Sequence, residues 1–525
     1  MNAPRVLYQM IRADFLERVR RYPFLVTLAA ALYLAYAVAT EKVWIVVGDG
    51  YRGVYNSAWI GMLMTICCST FLSLVGFYIV KNSVLRDTDT RVGRILAATP
   101  MRKDFYTLAK TLSNFAVLAC MVGVLMLAAV VMQLQLGEAR SISLWKLWAP
   151  FVLIALPAML LTAATALLFE TLPILRGGVG NVLFFFVWTT ELAVTASNGL
   201  DDANGMQLLY RSTRAALQGV DQSHPDNFHF SLTIGGARAA HTFLWNGIDW
   251  TPHILWVRLE WVAASLGLAF LASVFFHRFD PAREWGRTKP QPSLPAPTAP
   301  QEQVPVAISP ASAPTAIHLT PLTRTAARSR FPQLVSSELR LMLKGQRWWW
   351  YTVAAGLFIA ELASPAQART GLLLAAWIWP ILVWSQMGSR EARHATQSLI
   401  FSSERALTRQ LPALWTAGVI VAALTGGGVA LRLILSADWQ SLVPWIAAAL
   451  FIPSLALALG VCSGTSKPFE ALYTVWWYMG PAHQMPQFDF MGLTPASSSP
   501  QLYLALAAAL VAVSYVGRRL RLGYA

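Results

Sequence analysis

The chain is a succession of apolar runs, and their lengths commit it to one solvent. Runs from Phe24 to Ala39, Asn56 to Val80, Thr107 to Leu134, Trp145 to Phe169, Gly178 to Ala196 and His253 to Phe276 are separated by polar breaks. A second set runs from Trp348 to Leu362, Thr370 to Met387, Leu411 to Leu435, Leu442 to Cys462, Phe469 to Met479 and Leu502 to Val516. Most are long enough to cross a hydrocarbon core about 30 Å thick as helices. The composition agrees: 56% of the 525 residues are hydrophobic, only 13% are charged and 21 are Trp. The sequence therefore predicts an all-α polytopic membrane protein with about twelve spans.

A formal net charge of +15 does not point to nucleic acid, because Lys and Arg sit mainly at the ends of apolar runs on alternate sides. Arg18, Arg20 and Arg21, the bases between Lys81 and Lys110, those from Arg278 to Lys289, and Arg518, Arg519 and Arg521 all fall on one side. The positive-inside rule makes that side cytosolic and puts both termini there, with membrane lipid as the surroundings and no nucleic-acid partner. Cys67, Cys68, Cys120 and Cys462 lie in apolar stretches, so no disulfide framework is implied.

The two sets of runs read as two pseudo-symmetric six-helix transmembrane bundles, residues 1–280 and 333–525, joined by a Pro- and Ala-rich cytosolic linker, 281–332. Each begins with an amphipathic interfacial helix. In the first, Leu7, Ile11, Phe15 and Val19 recur every four residues with Arg12, Asp14, Glu17 and Arg18 between them. In the second, Leu334 or Val335, Leu339 and Leu343 alternate with Glu338, Arg340 and Lys344. Acids inside the first pattern separate it from a signal peptide. The loop 197–252 carries Phe228, Phe230, Phe243, Trp245 and Trp250, which predicts a small folded cap on the outer face; Gly480 to Pro500 is its shorter counterpart.

A charged insert follows the second run of each half. The first reads Arg86, Asp87, Thr88, Asp89, Thr90, Arg91, then Arg94 through Thr99, Pro100, Met101 and Arg102. The second reads Arg390, Glu391, Ala392, Arg393, His394, then Ser398 through Ser403, Glu404 and Arg405. The entry helix, six spans and insert together resemble the permeases of ATP-binding-cassette exporters of the ABC type-2 class. In that family the insert is a coupling helix that docks on the ATPase. The resemblance implies this role for Arg86, Asp87, Arg91, Arg94, Thr99, Pro100 and Arg102, and for Arg390, Glu391, Arg393, Ser403 and Arg405. Glu404 stands where the pattern has Pro, so the second contact departs from the first. The turns Glu170 to Arg176 and Val461 to Lys467 look like the smaller cytosolic contact, which adds Arg176 and Lys467.

The resemblance further implies an exporter in the bacterial inner membrane that moves an amphipathic or hydrophobic substrate by alternating access, with two cassette ATPase subunits as partners. No G-x-x-x-x-G-K-[ST] occurs, and Gly464-Thr465-Ser466-Lys467-Pro468 lacks its order, so ATP and Mg belong to the partner and this chain binds no cofactor. Phe184, Phe185, Phe186 and Trp188 in the fifth run match Tyr473, Trp476 and Trp477 in the eleventh, either lining a central cavity or facing lipid.

Two other classes compete. An intramembrane enzyme would rest on Asp87-Thr88-Asp89 as a metal-holding pair, but two carboxylates are fewer oxygen ligands than a divalent ion takes, and no nucleophile elbow or H-E-x-x-H is present. A copper- or zinc-handling permease would rest on His224, His229, His241 and His253 with Asp221 and Asp226, whose spacings match no closed site. Arg258 and Glu260 either gate substrate or form an interfacial ion pair beside Trp256 and Trp261.

Overall fold

The computed structural model describes residues 3–40, 43–47, 51–139, 141–198, 202–218, 230–234, 241–277, 279, 331–394, 396–397, 400, 406–483, 485–494 and 500–523. Within them the expected apolar runs are helical, save for turns within the eighth, and the fold is that of a largely helical membrane protein. Seven helices are long and apolar enough to cross a membrane: Ser57–Asp89, Lys103–Leu136, Leu144–Thr171, Pro252–Phe275, Leu407–Leu435, Trp439–Ser463 and Pro500–Leu520. Tyr22–Ala37, Gly178–Val194 and Thr370–Trp384 are apolar but shorter. Leu127, Val131 and Leu134 on one helix and Trp256, Leu259, Phe270 and Val274 on another are at least half exposed. Continuous oily faces of this kind suit acyl chains rather than water.

The chain forms two compact units, the first made of 1–283 with Lys467–Tyr478 and the second of 284–466 with 479–525. The first unit opens with α1 (Ala3–Val19), α2 (Tyr22–Ala39), β1 (Val43–Val47), β2 (Tyr51–Gly53), α3 (Ser57–Val80), α4 (Ser83–Asp89), α5 (Val92–Ala98) and α6 (Lys103–Leu136). It continues through α7 (Leu144–Thr171), α8 (Gly178–Asn198), α9 (Met206–Gln218), β3 (Phe230–Ile234), β4 (His241–Phe243) and α10 (Pro252–Phe275). Successive long helices reverse direction, so the unit has a sheet end, where the strands gather, and a basic end, where α3, α6 and α7 bring Lys81, Lys110 and Glu170.

The strands form one sheet in the order β3-β1-β2-β4, with β1 antiparallel to β2 and β3 and β2 parallel to β4. This sheet departs from the helical expectation. Its strands have only three or five residues, and β1 finds β3 far along the chain, so no local pattern announces it. The described part of 197–252 contains α9 and β4, with Phe243 and Trp245 buried and Trp250 half-buried. Phe228 lies outside the described residues. Asn56 ties this end to α3 twice, accepting from Trp59 N at 2.8 Å as an N-cap and donating through Nδ2 to Trp245 O at 2.7 Å.

Packing inside the unit is close. Trp59, Phe77, Met121 and Phe151 are buried in one core, and a Cβ on Gly61 would lie 2.5 Å from Leu147 O, so α3 and α7 touch backbone to side. In α7, Phe151–Ala155 widens into a π turn in which Leu156 N donates to Phe151 O. Pro157 has no N–H to continue the normal ladder there.

The second unit contains α11 (Phe331–Leu343), α12 (Trp348–Ala363), α13 (Ala366–Ile378), α14 (Ile381–Trp384), α15 (Arg390–Arg393), α16 (Ala406–Leu435), α17 (Trp439–Ser463) and α19 (Pro500–Gly523). The helix between the last two, α18 (Lys467–Trp477), is the one that groups with the first unit. The eighth run, expected as one span, is broken at Pro380, whose ring ends α13 before α14 begins. Gly460 packs so closely that a Cβ would sit 1.9 Å from Met387 O. Of the expected linker, 281–330 lie outside the described residues and Phe331 already opens α11.

Glu138 closes the sheet end of α6 by accepting from Arg52 at 2.7 Å and from Tyr55 N at 3.1 Å. The hydrogen bond from Arg52 is the main cause holding this carboxyl below its ordinary value. A lowered acid stabilises the fold fully above its unfolded value, near 4.5, and loses that contribution as pH falls through its folded value. The melting-temperature gap between wild type and Glu138→Gln should therefore be constant from pH 7 down to about 5 and close toward pH 3.

Candidate functional site

The polar chemistry of the described residues concentrates at the basic end. α3 stops at Val80, Asn82 takes φ 79°, and α4 starts at Ser83, so the chain turns there with main-chain groups exposed at both helix termini. Glu170, at the end of α7, satisfies one terminus: its carboxylate accepts from Ser83 N at 2.8 Å and Val84 N at 2.6 Å. Lys81 reaches the turn after α7, donating to Leu175 O at 2.9 Å, Gly177 O at 3.3 Å and Asn181 Oδ1 at 2.6 Å. Lys467 of α18 supplies the other terminus, donating to Tyr78 O at 2.7 Å and Lys81 O at 2.9 Å. These are carbonyls that the end of α3 leaves unpaired, so an ammonium from far along the chain acts as a C-cap. Burial holds that ammonium down at about 8, against an upward pull from Glu170. Asn181 completes the set by donating through Nδ2 to Glu470 Oε2, while Tyr78 Oη donates to Asn181 O at 2.8 Å.

A second cluster binds the entry helix. Asp14 takes Lys110 at 2.7 Å and Arg86 at 3.1 Å, and Glu17 also takes Arg86 at 3.2 Å. Lys110 lies 2.8 Å from Asp87, which accepts from Tyr106 Oη at 2.7 Å. Arg18 donates to Asn114 Oδ1. The sequence pattern places Asp14 and Arg18 on the polar face of α1, yet Arg18 is buried and Asp14 nearly so, because that face turns onto α6 where Lys110 and Asn114 receive it. In the second unit Arg390 pairs with Glu338 of α11, Gln410 donates to Glu338 at 3.2 Å, and Arg518 pairs with buried Glu391 at 2.6 Å.

The coupling residues inferred from the resemblance thus divide. Arg86, Asp87, Arg390 and Glu391 are engaged within the chain, and Lys467 is engaged with α3. Arg91, Arg94, Pro100, Arg102 and Arg393 are exposed, and Thr99 and Arg176 are half-buried. With Val92 and Ile95 bare, α5 shows an apolar stripe edged by bases. Ser403, Glu404 and Arg405 lie outside the described residues.

The aromatic set packs ring on ring. Phe184 stacks on Phe77 at 3.6 Å between centroids, Phe185 meets Tyr478 edge-on at 5.4 Å, and Phe186 meets Trp477 at 6.1 Å. Tyr473 stacks on Phe469 at 5.1 Å, Trp188 Nε1 donates to Ser73 Oγ at 2.9 Å, and Trp476 is half-buried. Phe185 and Phe186 thus form a seam between α8 and the end of α18, while Phe184 and Trp188 pack on α3.

For the alternatives, Asp87 is buried and bonded while Asp89 is exposed, so that pair does not converge. Among the described residues no three His, Cys, Asp or Glu side chains are grouped to hold a metal. His241 and His253 are exposed, and His224, His229, Asp221 and Asp226 lie outside the described residues. Arg258 does not pair with Glu260: it is buried and donates to Asp202 O at 2.7 Å and Ala203 O at 3.4 Å, while Glu260, two residues on, faces out.

No protein-family model, curated protein or solved structure matches this chain. The partners Lys110, Asn114 and Asn181 carry no sequence signal of their own; only the entry helix and insert pointed toward them.

Replacing Lys110 with Met leaves buried Asp87 with the Tyr106 hydroxyl and no base, and Asp14 with Arg86 alone. We expect a loss of about 3–5 kcal/mol in denaturant unfolding of the purified chain. Arg102→Glu, on an exposed side chain, should stay within about 0.5 kcal/mol of wild type.

Proposed function

We propose that the chain is the membrane permease subunit of an ATP-driven exporter of the ABC type-2 class, with two pseudo-symmetric halves, about twelve spans in all and the basic end in the cytosol. The observation that carries this reading is a repeated wiring. In each half an acid of the entry helix, Asp14 or Glu338, takes the first base of the insert, Arg86 or Arg390, and a polar side chain near the start of the next long helix, Lys110 or Gln410. In each half the acid that follows, Asp87 or Glu391, is buried against another base. Two inserts braced alike against two entry helices suit a machine that receives force at both inserts. The exposed stripe of Val92 and Ile95, edged by Arg91, Arg94 and Arg102, is the surface offered to an ATPase. Substrate is an amphipathic or hydrophobic molecule leaving the cytosol or inner leaflet of a bacterial inner membrane, in keeping with the aromatic seam of α8 and α18.

The purified chain should hydrolyse no ATP by itself and should co-purify with a cassette ATPase at one chain per two ATPase subunits in native mass spectra. Arg94→Glu with Arg102→Glu should cut recovery of the ATPase about tenfold without lowering the melting temperature. Intact recovery from that variant would remove α5 as the contact, and two copies of this chain per ATPase pair would sink the fused-halves reading.

A further inference from the structure

Three cations and two carboxylates gather at the basic end of the first unit, all buried but for half-buried Lys467, and among the described residues none of the five pairs directly with an opposite charge. Arg18 is bonded to Asn114, Lys81 to carbonyls and Asn181, Lys467 to carbonyls, Glu170 to main-chain N–H groups and Ser83, and Glu470 to Asn181. Four of them are nonetheless neighbours, since Lys467 bonds the Lys81 carbonyl, Asn181 bonds both Lys81 and Glu470, and Glu170 bonds the main chain two residues past Lys81. Arg18 Nη2 and Asn114 Nδ2 are buried with no acceptor. Opposite charges held apart by neutral amides are a costly arrangement in a low-dielectric site, and a small shift that lets them meet directly offsets that cost. In this cluster Asn181 is the spacer between Lys81 and Glu470.

The element that carries two of the five charges is short and bounded by turns at both ends. α18 has eleven residues, about 16 Å of helix, too short to cross a hydrocarbon core. The chain enters it past Gly464, at φ 71°, and leaves it through a π turn, Tyr478–Ala482, containing Pro481. Its hold on the unit is polar at one end, through Lys467 and Glu470, and aromatic at the other, through Trp477 on Phe186, with Phe469, Tyr473 and Thr474 buried along it.

We infer that α18 is a releasable strap, latched by Lys467 on the carboxyl end of α3 and by Glu470 on Asn181, and that it detaches as one body while the rest of the unit stays folded. On release, Tyr78 O and Lys81 O lose their cap, so the turn into α4 loosens with it, and Lys81 exchanges its amide spacer for Glu170. The inference stands whether or not the chain is a permease, because it concerns only how α18 is held. In a permease it supplies a gate that opens at the end of the first unit where Arg86 is braced.

Hydrogen exchange of the full chain in lipid nanodiscs tests it. Peptides covering 467–478 should show two mass populations converting together, with protection well below that of Val117–Leu125 in α6. Lys467→Met should speed exchange of 467–478 and of 81–84 about tenfold while leaving Val117–Leu125 unchanged. Asn181→Asp, which gives Lys81 a direct partner and repels Glu470, should also favour the open population. Exchange of 467–478 that tracks Val117–Leu125 in the wild type would overturn the strap, and so would variants that speed the whole unit equally. The wild-type measurement decides by itself if a variant fails to fold.

Discussion

The cost of taking charge out of water organises the basic end of this protein. Buried ions survive only where every donor or acceptor they carry finds a complement, and the helix termini of α3, α4 and α7 are where complements are free. Glu170 sits on a helix amino end and Lys467 on a helix carboxyl end, the placements that the helix dipole favours. Ordinary apolar packing holds the middle of the bundle, but the angle at which α4 leaves α3, and so the position of α5, depends on these few ions.

The apolar runs were legible because a span needs length and oil, properties any window of sequence displays. The entry helices were legible for a related reason, their four-residue period. What stayed hidden was the inward turn of the polar face of α1: the period marks Arg18 as solvated, and only α6 supplies the Asn114 that buries it. The sheet stayed hidden too, because Val43 and Ile234 become neighbours through tertiary packing alone. The surroundings of the charged insert residues were not legible. Charge near a span end says that a residue lies at the interface, but not whether it faces a partner, as Arg94 is free to do, or a carboxylate of its own chain, as Arg86 does.

The two halves differ where their wiring is otherwise alike. One turn beyond Asp14 the entry helix carries buried Arg18; one turn beyond Glu338 it carries buried Met342. Lys110 is answered by neutral Gln410. At these positions the first unit concentrates ions and the second carries apolar or uncharged groups.

The inclusion of Lys467–Tyr478 in the first unit also sets an order in time. A ribosome adding roughly 5–20 residues per second finishes the first six runs on the order of ten to forty seconds before α18 emerges. Through that interval the carboxyl end of α3 has no ammonium on its carbonyls and Asn181 has no carboxylate to hold. The first unit is thus inserted incomplete and is finished by a late arrival, which gives the membrane-insertion machinery, or a partner already bound, a window in which the seat of α18 is open.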